Sequence, residues 1–447
     1  MARAAESRKK RPKSWNLAVR LPRVDVDVAA VEDNVETSVH PSQDDPQCYR
    51  HVPHSLHPYA LFPVEPDGRA RELIHFMHNE GEYLYRPFRN EWFAMAVIDC
   101  TAFYLSLANA ALFFHQMAQR KGCEHSDFEE SSAYLSLCLN QVTERLGKES
   151  DHVSDGVITT ILGFLCHDSS VGRWDRFDVH MKGLKDILRL RGGFQALNRT
   201  VVMFTSWFDI VRASVLDCRP RFLLPADVFA PIVQHDISSP SMQDLIVRIR
   251  HFSDELAETA IALERTAQLA TFVNNNAQNP LFWKDGATAA KRITPVLHFL
   301  LSLRRPTDSG SCSNYSTELM LSEVVRLALL ILVASVKQAF SLIADELTIL
   351  QQRFSALLYT APYDTHFPEL SLWAIIMVAS VRSNESNQLH ASAVVKLMRG
   401  MGIRSGRTAV DIAKCLIWID ECMETNVARF IFDIDRASCS FETGYRD

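Results

Sequence analysis

No Cys-x2-Cys pair occurs anywhere in this chain of 447 residues, and neither does Gly-x-Ser-x-Gly or His-Glu-x-x-His. The first absence removes the commonest paired-thiolate zinc sites. The others remove the nucleophile elbow of the α/β-hydrolases and the helical zinc site of many metalloproteases. Gly400-Met401-Gly402 with Gly406 has neither a preceding strand pattern nor a Gly-Lys-Ser/Thr ending, so it reads as a helix stop. The first residues are cationic but lack an apolar stretch, so no signal peptide is expected. No 20–50-residue period recurs, which excludes a simple solenoid. Alternating strand patterns are nearly absent after the first few dozen residues.

The ten cysteines are scattered through apolar patterns and suggest small buried side chains in a reducing compartment. Net charge is −6 and unevenly spread. Residues 1–23 hold eight cations and one acid, Glu6, so they carry +7 and the remainder −13. An acidic body repels nucleic acid on average, so any attraction to phosphate must come from local patches.

The basic cluster Arg8, Lys9, Lys10, Arg11 and Lys13 reads as a nuclear localisation signal or a phosphate-contacting arm. Residues 24–28 alternate Val and Asp as a short strand would. Acidic residues 25, 27, 32, 33 and 36 among valines match a weak activation segment or a plain linker. Six prolines between 41 and 66 break up any helix. Cys48, His51, His54 and His57 recur every third residue, and His75, His78 and Glu82 lie close together. Both spacings are poor for closing a metal site, and no metal or cofactor is expected.

From about residue 70 the periodicity is helical. Helices are expected over 70–79, 90–121, 127–146, 154–167, 175–191, 200–217, 240–273 with a break near Phe252, 286–304, 316–343, 345–359, 369–382, 386–400, 408–424 and 426–434. Ser126 and Glu129 are spaced as a capping box, and Tyr134, Cys138, Val142 and Leu146 as one stripe. Residues 92–114 imitate a membrane span, but Asp99 near the centre makes a buried core helix the better reading. Cys415 and Cys422 fall on one amphipathic helix. The fold class is all-α, an extended multi-helix bundle or array behind a disordered basic N-terminal segment. The divisions are 1–69 as tail and proline-rich linker, 70–435 as helical body and 436–447 as C-terminal tail.

Residues 173–222 carry the sharpest pattern. Phe177, Met181, Leu184 and Leu188 form one helical stripe, and Arg176, Lys182, Lys185, Arg189 and Arg191 give the same helix a basic outer face. Gly192-Gly193 ends it. Trp174, Phe177, His180, Met181, Gly183, Leu184, Arg191, Gly192 and Gly193, followed by Trp207 and Pro220-Arg221-Phe222, resemble the fungal-specific transcription factor domain. That is the helical regulatory region C-terminal to binuclear zinc clusters. Pro87-Phe88 with Trp92, Leu372-Trp373-Ala374 and a helix at Leu416-Ile417-Trp418 extend the resemblance more generically.

The resemblance implies a nuclear transcriptional regulator without catalytic residues. Its expected partners are other transcription proteins or a second copy of itself, with only weak or indirect DNA contact through the basic tail, and no membrane. A small-molecule effector, with Trp174, Phe177, His180, Trp207 and Arg221 as positioning residues, and control of a metabolic or secondary-metabolite pathway are family expectations. The zinc cluster, two Cys-x2-Cys-x6-Cys halves, has no match here, which suggests loss of the module or an N-terminally truncated gene product. An interaction scaffold and an enzyme with an unrecognised site stand as alternatives.

Overall fold

The computed structural model describes residues 62–79, 88–118, 128–194, 197–229, 239–306, 316–360, 366–381 and 387–443. All of them lie in the second of two units into which the chain divides, Val52–Asp447. Among the described residues there are sixteen α-helices and no strand. The fold is all-α, as the periodicity predicts. The basic cluster 8–13, the alternation at 24–28, the acidic residues 25–36, the 48–57 cysteine–histidine spacing, Glu82, Pro87 and Ser126 lie outside the described residues.

The N-terminal helices are α1 (Gly68–Asn79), α2 (Arg89–Ala96), α3 (Cys100–Ala118), α4 (Glu129–Leu146), α5 (Asp155–Ser170), α6 (Trp174–Leu190) and α7 (Arg199–Leu216). Then come α8 (Pro240–Phe252), α9 (Ala257–Asn276), α10 (Gly286–Ser302), α11 (Thr317–Ala339) and α12 (Glu346–Thr360). The series ends with α13 (Pro368–Val381), α14 (Gln388–Met401), α15 (Gly406–Lys414) and α16 (Asp420–Thr443). α3 packs on α4 and α5, α5 on α6 and α7, and α7 on α10; α11 and α13 form the inner axis for the later helices. One contiguous apolar core runs from α1 to α16.

Local chemistry explains at least six of the sixteen helix starts. Ser154, Asn198, Ser239, Asp285, Ser316 and Ser405 each cap a helix by accepting a main-chain N–H of its first turn. Pro240 follows Ser239 at the first helical position, where its missing N–H costs nothing. Phe252 ends α8, and a single 3-10 turn joins it to α9.

Several expectations need correction. The helix read over 90–121 is two helices, α2 and α3, parted at 97–99. Asp99 is the cause: its Oδ1 accepts the N–H of Thr101 at 2.9 Å and of Ala102 at 3.1 Å, capping α3. Arg145 of α4 then grips both carboxylate oxygens at 2.9 and 2.8 Å. The apolar run is therefore interrupted by a capped, ion-paired carboxylate. Among the described residues one helix, α11, is long and apolar enough to cross a bilayer, and it is mostly buried in this body.

α4 starts after Phe128 with no side-chain cap, so Glu129 does not serve as the third position of a capping box. Its inward stripe is Ser131, Leu135, Cys138 and Val142, whereas Leu146 is exposed. The helix read over 408–424 breaks at 415–419, because Leu416, Ile417 and Trp418 cross the core as a buried connector. Trp373 Nε1 donates to Ile417 O at 2.7 Å and Asn274 Nδ2 to Trp418 O at 2.8 Å, so carbonyls that a helix would use internally are bound elsewhere. Cys415 thus ends α15 and is exposed, while Cys422 lies on α16. Of the seven described cysteines only Cys138 and Cys166 are fully buried. α16 runs from Asp420 to Thr443, past the expected 426–434, and its inward stripe is Met423, Val427, Phe430 and Ile434.

Candidate functional site

α5 and α6 meet at a tight corner. Gly172, with φ +66°, lets Arg173 N–H reach back to Asp168 O at 2.8 Å, and α6 starts at the next residue. On α6, Phe177, Met181, Leu184, Ile187 and Leu188 face the core. The helix closes in a Schellman motif: Gly193 N–H bonds Leu188 O at 2.8 Å and Gly192 N–H bonds Arg189 O at 3.2 Å. Both glycines have positive φ, a conformation that side chains resist. Gly402 ends α14 the same way, with Ile403 N–H on Met398 O at 2.8 Å.

Charged side chains between α5, α6 and α7 form a seam of carboxylates, each holding cations. Asp168, fully buried on α5, accepts Arg176 Nε at 2.8 Å and His180 Nδ1 at 2.7 Å. The His180 ring lies stacked on Phe164, centroids 4.8 Å apart. Asp178 takes two bonds from Arg212, at 3.1 and 2.5 Å, and one from Arg221 at 2.7 Å. Burial works to raise the Asp178 carboxyl, but the two arginines hold it below the ordinary carboxylate range. The Arg212 guanidinium also sits 5.0 Å from the Trp174 ring centroid.

Asp209, buried on α7, binds main chain: its Oδ2 accepts Arg221 N–H at 2.7 Å and Phe222 N–H at 2.9 Å. Burial raises this carboxyl despite those donors and the nearby Arg221 charge. Phe222 in turn packs edge-on against Phe194, just past Gly193, and its carbonyl accepts from His298 Nε2 of α10 at 3.0 Å. Arg191 spans to α5, reaching Val153 O at 2.8 Å and Asp155 at 2.5 Å.

A second ionic centre lies where α7 ends. Asp217 adopts left-handed φ (+48°) and accepts from Arg326 of α11 at 2.7 and 3.0 Å and from Arg353 of α12 at 2.7 Å. Arg305 is 3.6 Å away. Lys337 and Glu346, both buried, pair at 2.5 Å, and Lys337 Nζ lies 5.6 Å from the Trp207 ring centroid. Trp207 also touches Phe88 of the α2 start, and Trp92 touches Phe204.

The structure therefore gathers Trp174, Arg221 and the α6–α7 seam into one place. It puts His180 on the Asp168 side, Arg191 at the far end of α6, and Trp207 in the core toward α2 and α11. Pro220 is half-buried at the turn that Asp209 anchors. Reasoning from the sequence picked out the aromatics and cations here and missed their counter-ions Asp155, Asp168, Asp178, Asp209 and Asp217. A usable signal was present, because Asp168 and Asp209 interrupt long apolar helical runs, where a carboxylate needs partners. Chemically the seam fixes helices: each carboxylate is occupied by an arginine, a histidine or main-chain N–H groups. Among the described residues no group of three His, Cys, Asp or Glu side chains could hold a metal ion. The His78 ring lies against Phe93 at 4.7 Å, and His75 is exposed.

A family model for the fungal-specific transcription factor domain matches residues 73–390, from α1 into α14. The chain belongs to this family. The match takes in the whole signature from Trp174 to Phe222 and both ionic centres. No curated protein and no solved structure matches the chain.

Proposed function

We propose that this chain is a nuclear transcriptional regulator whose helical body is its control element. The observation that carries this reading is the family match over 73–390, which covers most of the helical body. The family is also what supports a regulatory over an enzymatic role. The finer mechanism is allosteric. α6 and the Pro220-Arg221-Phe222 turn are tied to α7 by ion pairs, and α7 is tied to α11 and α12 by Asp217 and by Lys337 beneath Trp207. Arg221 faces two carboxylates, Asp178 at 2.7 Å and Asp209 at 3.6 Å, so a small shift of the turn exchanges its partner. Discrete exchanges of this kind let a small effector or a partner protein bias one arrangement over another.

The test is chromatin immunoprecipitation with sequencing of the tagged chain, with and without residues 8–13, together with transcript profiling of a deletion strain. Discrete promoter occupancy, with matching transcript changes on deletion, is the expected result. Uniform background occupancy with unchanged transcripts would remove the regulatory reading. Thermal shift of the purified chain against a metabolite library tests the effector: a saturable rise in Tm is expected.

A further inference from the structure

The outward side of α6 has a composition that the interior does not explain. Val179, Gly183, Asp186 and Leu190 recur at i, i+4, i+7 and i+11, so they form one line opposite the buried stripe. Val179 and Leu190 are 69% and 66% exposed. Gly183 lies between them in mid-helix, where glycine weakens a helix relative to alanine. A Cβ at Gly183 would meet nothing within 4 Å, and its φ is not positive. Neither packing nor backbone conformation within the chain calls for glycine there. It opens a notch between two exposed apolar side chains.

The charge beside that line is also unspent. Arg176 and Arg191 of the same helix are engaged by Asp168 and Asp155. Asp186, on the line itself, is paired by Arg189 at 3.5 Å, so that acid is offset within the helix. Lys182 and Lys185 are exposed and form no ion pair among the described residues.

We propose that this face of α6 docks an acidic amphipathic helix of another protein, its apolar stripe lying along Val179, Gly183 and Leu190 and its carboxylates against Lys182 and Lys185. The glycine notch lets the partner approach closely, and the lysines select its charge. A nucleic-acid backbone would leave Val179 and Leu190 unburied. A second copy packing α6 on α6 would set two basic flanks against each other. The inference stands on this surface alone, so its failure and that of the regulatory reading are separable: promoter occupancy tests one, peptide binding the other.

The experiment is fluorescence anisotropy of a labelled peptide with leucine at i, i+4, i+7 and i+11 and flanking glutamates, titrated with the full chain. The acidic peptide is expected to bind roughly tenfold or more tightly than its glutamine counterpart, with the advantage lost at high salt. Lys182→Glu/Lys185→Glu and Gly183→Leu should each abolish binding without lowering Tm, and Gly183→Ala should raise Tm while weakening binding. Equal binding of both peptides, or unchanged binding by the variants, would overturn the proposal. So would a labelled DNA duplex whose affinity depends on Lys182 and Lys185 when the peptide's does not, or a dimer that Gly183→Leu dissociates.

Discussion

Asp209 reaches twelve residues along the chain to bind Arg221, accepting its main-chain N–H at 2.7 Å. That one bond folds the segment after α7 back on the helix it has just left. It also places the Arg221 side chain beside Asp178 of α6. The stretch from Trp174 to Phe222 in this chain thus includes a buried carboxylate whose partner is backbone, so the turn's geometry depends on it directly.

Asp209→Ala strands two N–H groups beside Arg221 and is expected to destabilise the chain by about 2–4 kcal/mol. Asp209→Asn keeps an acceptor oxygen and should cost less. Urea titration followed by far-UV circular dichroism ranks the two; equal losses would deny the carboxylate its anchoring role.

Asp217→Asn tests the second ionic centre and its pH dependence. Burial works to raise this carboxyl, but the Arg326 hydrogen bonds and charge, with Arg305 and Arg353, bring it below its ordinary value of 3.8. A lowered folded-state pKa means stability that is present above the unfolded value and lost as pH falls through the folded one. Leaving Arg326 with one carboxylate fewer should cost about 3–5 kcal/mol at neutral pH. The gap between variant and native chain should narrow in urea melts taken below pH 3.8.

Glycine substitutions should separate by position. A Cβ on Gly156 would fall on the Asp99 carboxylate, with Arg145 Nη2 at 2.7 Å. Gly156→Ala must therefore push apart the pair that caps α3 and ties it to α4, lowering Tm by several degrees. Asp99→Ala should add a lost cap, worth about 1 kcal/mol, to a broken ion pair, and Asp99→Asn should retain the cap.

Thiol reactivity follows burial. Burial pushes the Cys138 thiol up to about 12 and Cys422 up to about 11, so neither is ionised near neutrality. Cys100, Cys415 and Cys439 are exposed. Among the seven described cysteines, brief iodoacetamide labelling read by peptide mass spectrometry should modify those three first. Cys138 and Cys166 should react only in denaturant.

Much of the fold was legible from periodicity. α6 read clearly because Phe177, Met181, Leu184 and Leu188 are spaced for one buried face, whereas α7 is buried on all sides from Val201 to Ser214. The α8–α9 break and the Ser239-Pro240 start were equally local. The misreadings share a cause. At 97–99 and at 415–419 the apolar pattern continues while the backbone turns, and apolar composition alone does not mark a turn. In the signature, the cations stood out and the acids did not, since a lone aspartate within an apolar run has no spacing that names its partner.

What this sequence determines by itself is the all-helical body, its inward stripes and its family, because helical period and capping chemistry act between residues a few positions apart. Which carboxylate holds which arginine was decided only by the packed chain. Arg326 finds Asp217 across 109 residues and Arg221 finds Asp178 across 43. Such pairs are chosen by what burial brings within 3 Å, where a charge removed from water must find its counter-ion.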